Sequence, residues 1–295
     1  MSTNKSNAEN EKYVLSNVEK EVDGKTVRRI VALKAIPDKG VKIGTVGGYV
    51  SSYRNLSQLG DCWIADDAVV MDDASVTMNA LVSGEAIVSM NSVIKGDARV
   101  EEQASVDGNS VISKRAVISG KARVSYSRVS TDCRVTGEAF LYDSVIGGNT
   151  LIYDSPTIIE SNISGVVEIS DFAKVSQCTV RGNRIELLGN AKLDDVKIGT
   201  SKCKYIDIRD NVQIRNSEIK GNGVFISGEA VIKAGVVVEG ETTHIGEYAE
   251  ITGNIHLGKF ITVSECAKLL NLNEKMWSFT STVFDGDFSL VENNA

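Results

Sequence analysis

The sequence predicts an all-β chain: a left-handed parallel β-helix, built as a three-sided hexapeptide-repeat solenoid with a cap at each end. Three observations carry that prediction. A small residue is followed two places later by an aliphatic one, and the pair recurs every six residues from Cys62 to Val124. Further along, one corner in three loses a residue, coil after coil. Proline is nearly absent, with only Pro37 and Pro156, and long hydrogen-bonded ladders need that because proline cannot donate to them.

Taken in order, residues 1–60 read as a polar tail and an N-terminal β cap. The first eleven residues are expected to be disordered. Val22-Asp23-Gly24-Lys25 is expected to turn a hairpin between two β-rich runs, the second being 27–33. Residues 61–270 hold the repeat. Ala68, Ala74, Ala80 and Ala86 are small slots, with Val70, Val76, Val82 and Val88 as their partners. A spacing of two puts both members on one side of a strand, and a six-residue period cannot be a helical stripe. Between the pairs lie Gly84-Glu85, Gly96-Asp97 and Gly108-Asn109, residue types that tolerate the positive φ of a sharp corner. After Val124 the inward aliphatics are spaced 5, 6, 6 and again 5, 6, 6. Only a three-sided coil lets each shortened corner stack on its own kind. Asn91-Ser92-Val93-Ile94 recurs eighteen residues later as Asn109-Ser110-Val111-Ile112.

The pattern loosens around 181–205, then resumes from Ile208 to Leu269, giving about a dozen coils. Parallel crossovers are nearly always right-handed, but strict six-residue sides point to the left-handed class. Residues 271–295, with Met276, Trp277, Phe279, Phe284 and Phe288, are expected to fold over the last coil as the second cap.

Composition bounds the function. A formal charge of −7 argues against nucleic-acid binding and suits plain solubility. No apolar run approaches a membrane span, and the polar start lacks a hydrophobic leader, so a cytoplasmic location and no membrane partner are expected. Five Cys without a CxxC pair, and only two His, argue against zinc. Cys62, Cys133, Cys178 and Cys266 are read as inward core filler. Cys203 lies in the break between Lys202 and Lys204, whose charges would favour a thiolate.

One stretch is recognisable. Arg29-Ile30-Val31-Ala32-Leu33, Gly47-Gly48-Tyr49-Val50, and Asn55-Leu56-Ser57-Gln58 followed by Gly60-Asp61-Cys62-Trp63-Ile64 resemble the opening of YdcK-like hexapeptide-repeat proteins of bacteria, with similar chains in phages. The resemblance covers the N-terminal region; beyond it only the generic repeat is shared. It implies a left-handed β-helix and a loose acyltransferase label, and it supplies no catalytic residues. Acyl transfer on such folds uses an outward His as general base beside an acyl-CoA held between trimer subunits. The candidates are His244, between Thr243 and Ile245, and His256, between Ile255 and Leu257. Both are expected to face outward, on different sides of the coil, without an acceptor loop. Acetyl-CoA or another acyl-CoA is expected only if that alternative holds, and no cofactor otherwise.

Outward positions suggest association instead. Trp63, Leu81, Val117 and Leu151 are expected in one column, Val69, Ile87 and Phe140 in a second, and Val93, Val111 and Val145 in a third. Glu168, Lys174, Glu186, Lys192 and Lys197 make matching sites more polar further on. The chain's own N-terminal segment could hide one such face but hardly three, so a homotrimer is expected. Arg99, Arg123, Arg128 and Arg134 are expected on one side, placed to grip an anionic ligand between subunits. The preferred reading is a non-catalytic oligomeric scaffold that recognises a protein or a small anionic ligand through its faces or inter-subunit grooves. The alternatives are an acyl-CoA-dependent acyltransferase and a phage-type sequestering or blocking protein.

Overall fold

The computed structural model describes residues 11–292, apart from 160–161, 177–178, 188, 190, 196, 200–202, 216–217, 220, 234–235, 239–240 and 274. The expected disorder of the first eleven residues, and the inward placement of Cys178, therefore fall largely or wholly outside the described residues. The chain is all-β, and its short parallel strands stack into a parallel β-helix of about twelve turns. It divides into two compact units, Met1–Gly137 and Glu138–Ala295.

In the first unit the coils repeat as the period of six requires. Val69–Val70, Ile87–Val88, Ser105–Asp107 and Arg123–Ser125 stack in parallel on one face. Trp63–Ile64, Leu81–Val82, Arg99–Val100, Val117–Ile118 and Arg134–Val135 form a second. Ser75–Val76, Val93–Ile94, Val111–Ile112 and Arg128–Val129 form the third. Ile64, Val82, Val100 and Ile118 point inward and are fully buried, as are the small slots Ala68, Ala74, Ala80 and Ala86. Each buried Val or Ile contributes about 1.5–3 kcal/mol, and the stack is held by terms between neighbouring coils. The shortened corner is visible in the register: Val93 pairs with Val111, eighteen residues on, but Val111 pairs with Arg128, seventeen on.

An open solenoid end presents unpaired backbone groups, and the N-terminal segment covers them. Tyr13–Val22 and Lys25–Ala32 form an antiparallel hairpin. Val46–Val50 pairs antiparallel with the hairpin and parallel with Val69–Val70. Gly47 and Gly48 permit the close approach: a Cβ at Gly47 would meet the Ile64 carbonyl oxygen and the Trp63 ring at 2.6 Å. Side chains complete the seal. The buried Lys12 ammonium donates to the Gly60 and Cys62 carbonyls at 3.2 and 2.8 Å and contacts Cys62 Sγ at 3.1 Å. Tyr13 donates its hydroxyl proton to the Leu56 carbonyl at 2.9 Å, and burial raises its pKa well above the usual phenol value.

The second unit keeps the coil but varies its length. One face carries Lys174–Ser176, Lys192–Asp194, Gln213–Arg215, Val231–Ile232 and Glu250–Gly253 in parallel order. Lys174 pairs with Lys192 after 18 residues, whereas Lys192 pairs with Gln213 after 21. Asn162–Ile169 and Thr179–Leu187 run on as longer strands. The C-terminal segment does not fold over the end as expected. It forms a further coil, with Trp277–Phe279, Thr282–Phe284 and Ser289–Glu292 each paired in parallel to the coil before. Its rings contact one another in sequence: Trp277 to Phe279, Phe279 to Phe284 and Phe284 to Phe288 lie 6.1, 5.1 and 5.1 Å apart, with Phe284 buried and Phe288 exposed. Among the described residues no helix is long and apolar enough to cross a membrane.

Candidate ligand cleft

A cleft of about 470 Å³ opens on the second unit, lined by Phe172, Lys174, Lys192, Asn211, Gln213, Glu229 and Val231. Its floor is one outward column of stacked strands. Lys174, Lys192, Gln213 and Val231 occupy successive rungs, each in register with the next. Its wall is a column of corners. Phe172, Asn211 and Glu229 each lie two residues before a floor residue, at the turn that feeds the strand. The period of two sends these outward while Ala173, Val212 and Ala230, next to them, are fully buried.

The electrostatics are uneven. Lys174 and Lys192 stand directly opposite one another, both exposed. Neither ammonium has a hydrogen-bond or ion-pair partner among the described residues. Like charges at directly paired positions repel. Phe172 is 66% exposed beside them. Glu229 places a carboxylate at the other end.

A second polar group on this unit is already satisfied. In the lengthened coil, Asp207 is buried and accepts from Arg209 Nε and Nη2 at 2.5 Å each and from the Tyr205 hydroxyl at 2.7 Å. The carboxylate raises the Arg209 pKa above its ordinary value and, by accepting a hydrogen bond from the phenol, raises that of Tyr205. Its backbone is strained, with φ of 130° at Asp207 and 29° at Ile208. These contacts hold the insertion against the core, which is structural work.

The structure separates most residues the sequence grouped. His244 lies in the strand His244–Ile245, exposed, and pairs with Phe225 and Thr262. His256 lies in Ile255–Leu257, on another column, with Nδ1 3.1 Å from Ser278 Oγ. Neither lines the cleft. The four arginines do not share a side. Arg99 and Arg134 each pair with Val117 in one column, Arg128 pairs with Val111 in a second, and Arg123 pairs with Ser105 in the third. A shift of six residues moves to the next side, and this divides them. Arg99 is also paired with Glu101.

The apolar outward residues are mixed. Trp63 and Val69 are buried beneath the N-terminal segment, at 1% and 2% exposure. Tyr49, Val27 and Met71 pack with Val69 there, and Arg29 lies 4.4 Å from the Tyr49 ring centre. Trp63 therefore presents no contact surface. Leu81, Val93, Val111 and Val117 are half-buried, and Leu151 is exposed.

Two cysteine readings exchange places. Cys203 is fully buried within the irregular segment; a Cβ on Gly221 would touch its Cα at 2.7 Å. Cys266 is exposed at a corner because Ala267, two residues before Leu269, takes the inward slot. Among the described residues no group of three His, Cys, Asp or Glu is placed to hold a metal ion.

Sequence reasoning noted Lys174 and Lys192 only as polar outward positions. The usable signal was their separation of one coil, which puts the two charges side by side. Compared with known proteins, the chain matches no family model and no curated protein.

Proposed function

We propose that the chain is a binding protein, and that the cleft on its second unit is a ligand site holding an anionic group between Lys174 and Lys192. The observation that carries this reading is the in-register lysine pair, exposed and unpartnered among the described residues, inside a cleft that also offers amides and an aromatic ring. Two ammonium groups on one face donate to a carboxylate or phosphate as point charges. The two histidines lie in separate columns away from the cleft, which favours recognition over acyl transfer, since a catalytic design brings base and groove together. The test is a calorimetric titration of the full chain with inorganic phosphate at low salt. Saturable binding, abolished in the Lys174→Gln/Lys192→Gln double variant and kept in Lys268→Gln, supports the site. Binding unaffected by the double variant, or no binding, refutes it.

A second reading is self-association through the half-buried apolar positions Leu81, Val93, Val111 and Val117 of the first unit. It is favoured by the direct stacking of Val93 on Val111. For a homotrimer, light scattering at micromolar concentration should report about three times the chain mass of 31.7 kDa; a monomer refutes it.

A further inference from the structure

We propose that the cleft selects a short acidic saccharide. This rests on the reading of Lys174 and Lys192 as an anion site and adds the chemistry of the rest of the ligand.

The lining changes character from rung to rung. Phe172 and Lys174 stand on one coil, Lys192 on the next, Asn211 and Gln213 on the third, and Glu229 and Val231 on the fourth. At about 4.8 Å per layer, these four rungs span roughly 14 Å. The cleft is thus cationic at one end and anionic at the other. An extended polyanion, such as a polyphosphate or a nucleic-acid strand, would run its charges into the Glu229 carboxylate. The matching ligand has one anionic group at the lysine end and a neutral polar remainder.

The far rungs say what that remainder carries. A carboxylate accepts hydrogen bonds only, while side-chain amides both donate and accept. Gln213 and Glu229 therefore suit hydroxyl groups, which do both. Phe172 adds an apolar plate beside Lys174, 66% exposed. A sugar ring presents a C–H face next to its polar rim, so a carboxylate-bearing sugar can lie on the ring while its charge meets the lysines. Tyr248, 60% exposed, occupies the same corner column one coil beyond Glu229. A longer saccharide would reach it.

The experiment titrates the full chain by calorimetry with four probes: uronate- and sialate-ended di- and trisaccharides, neutral saccharides of the same linkages, a nucleoside monophosphate, and inorganic phosphate. At least one acidic saccharide should bind about tenfold more tightly than its neutral counterpart, the worth of a charged hydrogen bond. Lys192→Gln should remove that preference. Phe172→Ala should weaken saccharide binding several-fold and leave phosphate binding unchanged; both positions are exposed, so melting curves should show intact folding. Phosphate binding that depends on Lys192, with no acidic saccharide bound, overturns this inference and leaves the anion site standing. So does a nucleoside monophosphate that binds more tightly than every acidic saccharide, or saccharide binding indifferent to Phe172→Ala. No phosphate binding at all overturns both.

Discussion

The two units are made from one coil and differ in how strictly they repeat it. In the first, one corner column places Asp66, Gly84, Glu102 and Gly120 in the left-handed region at successive rungs. Each carboxylate accepts from the glycine N–H one coil on, Asp66 from Gly84 at 3.0 Å and Glu102 from Gly120 at 2.7 Å. The second unit uses the same device, with Asp171 accepting from Gly189 at 2.8 Å and Asp210 from Gly228 at 3.0 Å. Between those rungs, however, it takes in three extra residues and strained backbone around Asp207. The cleft lies over the rungs that this longer coil joins. The comparison teaches that regular stacking leaves outward residues in like columns, whereas a change of coil length accompanies a cleft where unlike side chains converge.

The largest expected effect tests what the units share. Val100 in the first and Ile232 in the second are both fully buried inward residues. Val100→Asp and Ile232→Asp should each cost about 3–5 kcal/mol, because an uncompensated carboxylate is left inside. Denaturant midpoints measure this. A cost under about 1 kcal/mol at either site, the range of an ordinary surface change, would show that its unit does not hold a packed interior.

Corner substitutions should give the next largest effect and sharpen the contrast. A Cβ at Gly84, where φ is +70°, would meet backbone atoms of Glu102 at 2.8 Å. Gly84→Ala should destabilise by about 1–3 kcal/mol through backbone strain and the displaced stack. Gly147 in the second unit meets nothing within 4 Å and has no positive φ. Gly147→Ala should be neutral or stabilise by up to about 1 kcal/mol. Equal melting shifts for the two would mean that stacking at the corner does not set the cost.

The fold was legible because its signal repeats: Ala68 with Val70, then Ala74 with Val76, leaves no other period. The site was legible only in part. Lys174 and Lys192 announce themselves by spacing, but Phe172 and Glu229 join them only because corners stack, and the step to Gln213 is hidden in an irregular segment. Errors arose where a local rule met an unseen neighbour. Trp63 faces outward from its coil, yet Gly47 lets the strand Val46–Val50 lie on it. Arg123 and Arg128 look adjacent, yet a corner parts them onto two faces. Cys266 is one residue from the slot that Ala267 fills.

A smaller effect concerns the seal of the first unit. Lys25 Nζ lies 2.5 Å from Asp72 Oδ1, and the Met90 N–H also donates to this carboxylate at 3.1 Å. The lysine hydrogen bond holds the Asp72 pKa below its usual value. A depressed carboxylate pKa stabilises the folded form above the unfolded pKa, about 3.9, and loses that contribution as pH falls through the lower folded value. The hairpin should therefore be fully tied at neutral pH and loosen only in stronger acid. The tie is part-exposed, so it is worth about 1 kcal/mol or less. Hydrogen exchange of 13–32 against pH should show the loosening, and Lys25→Gln should remove its pH dependence. Unchanged pH dependence in that variant would assign the acid response elsewhere.

The smallest effect bears most directly on the cleft. Without ligand, Lys174 and Lys192 face each other as like charges on paired strands, an arrangement that costs a few tenths of a kcal/mol, about 0.2–1 at most. Lys192→Gln should therefore raise the stability of the ligand-free chain by that amount while it weakens anion binding. Salt offers a control, because screening shortens the reach of exposed charges to about 3 Å at 1 M; the gain should shrink as salt rises. Thermal melts of parent and variant at low and high salt read both trends. A variant less stable than its parent at low salt would mean that Lys192 is held by favourable contacts of its own. The lysine pair would then not be unpartnered, and the cleft would lose the observation on which its assignment rests.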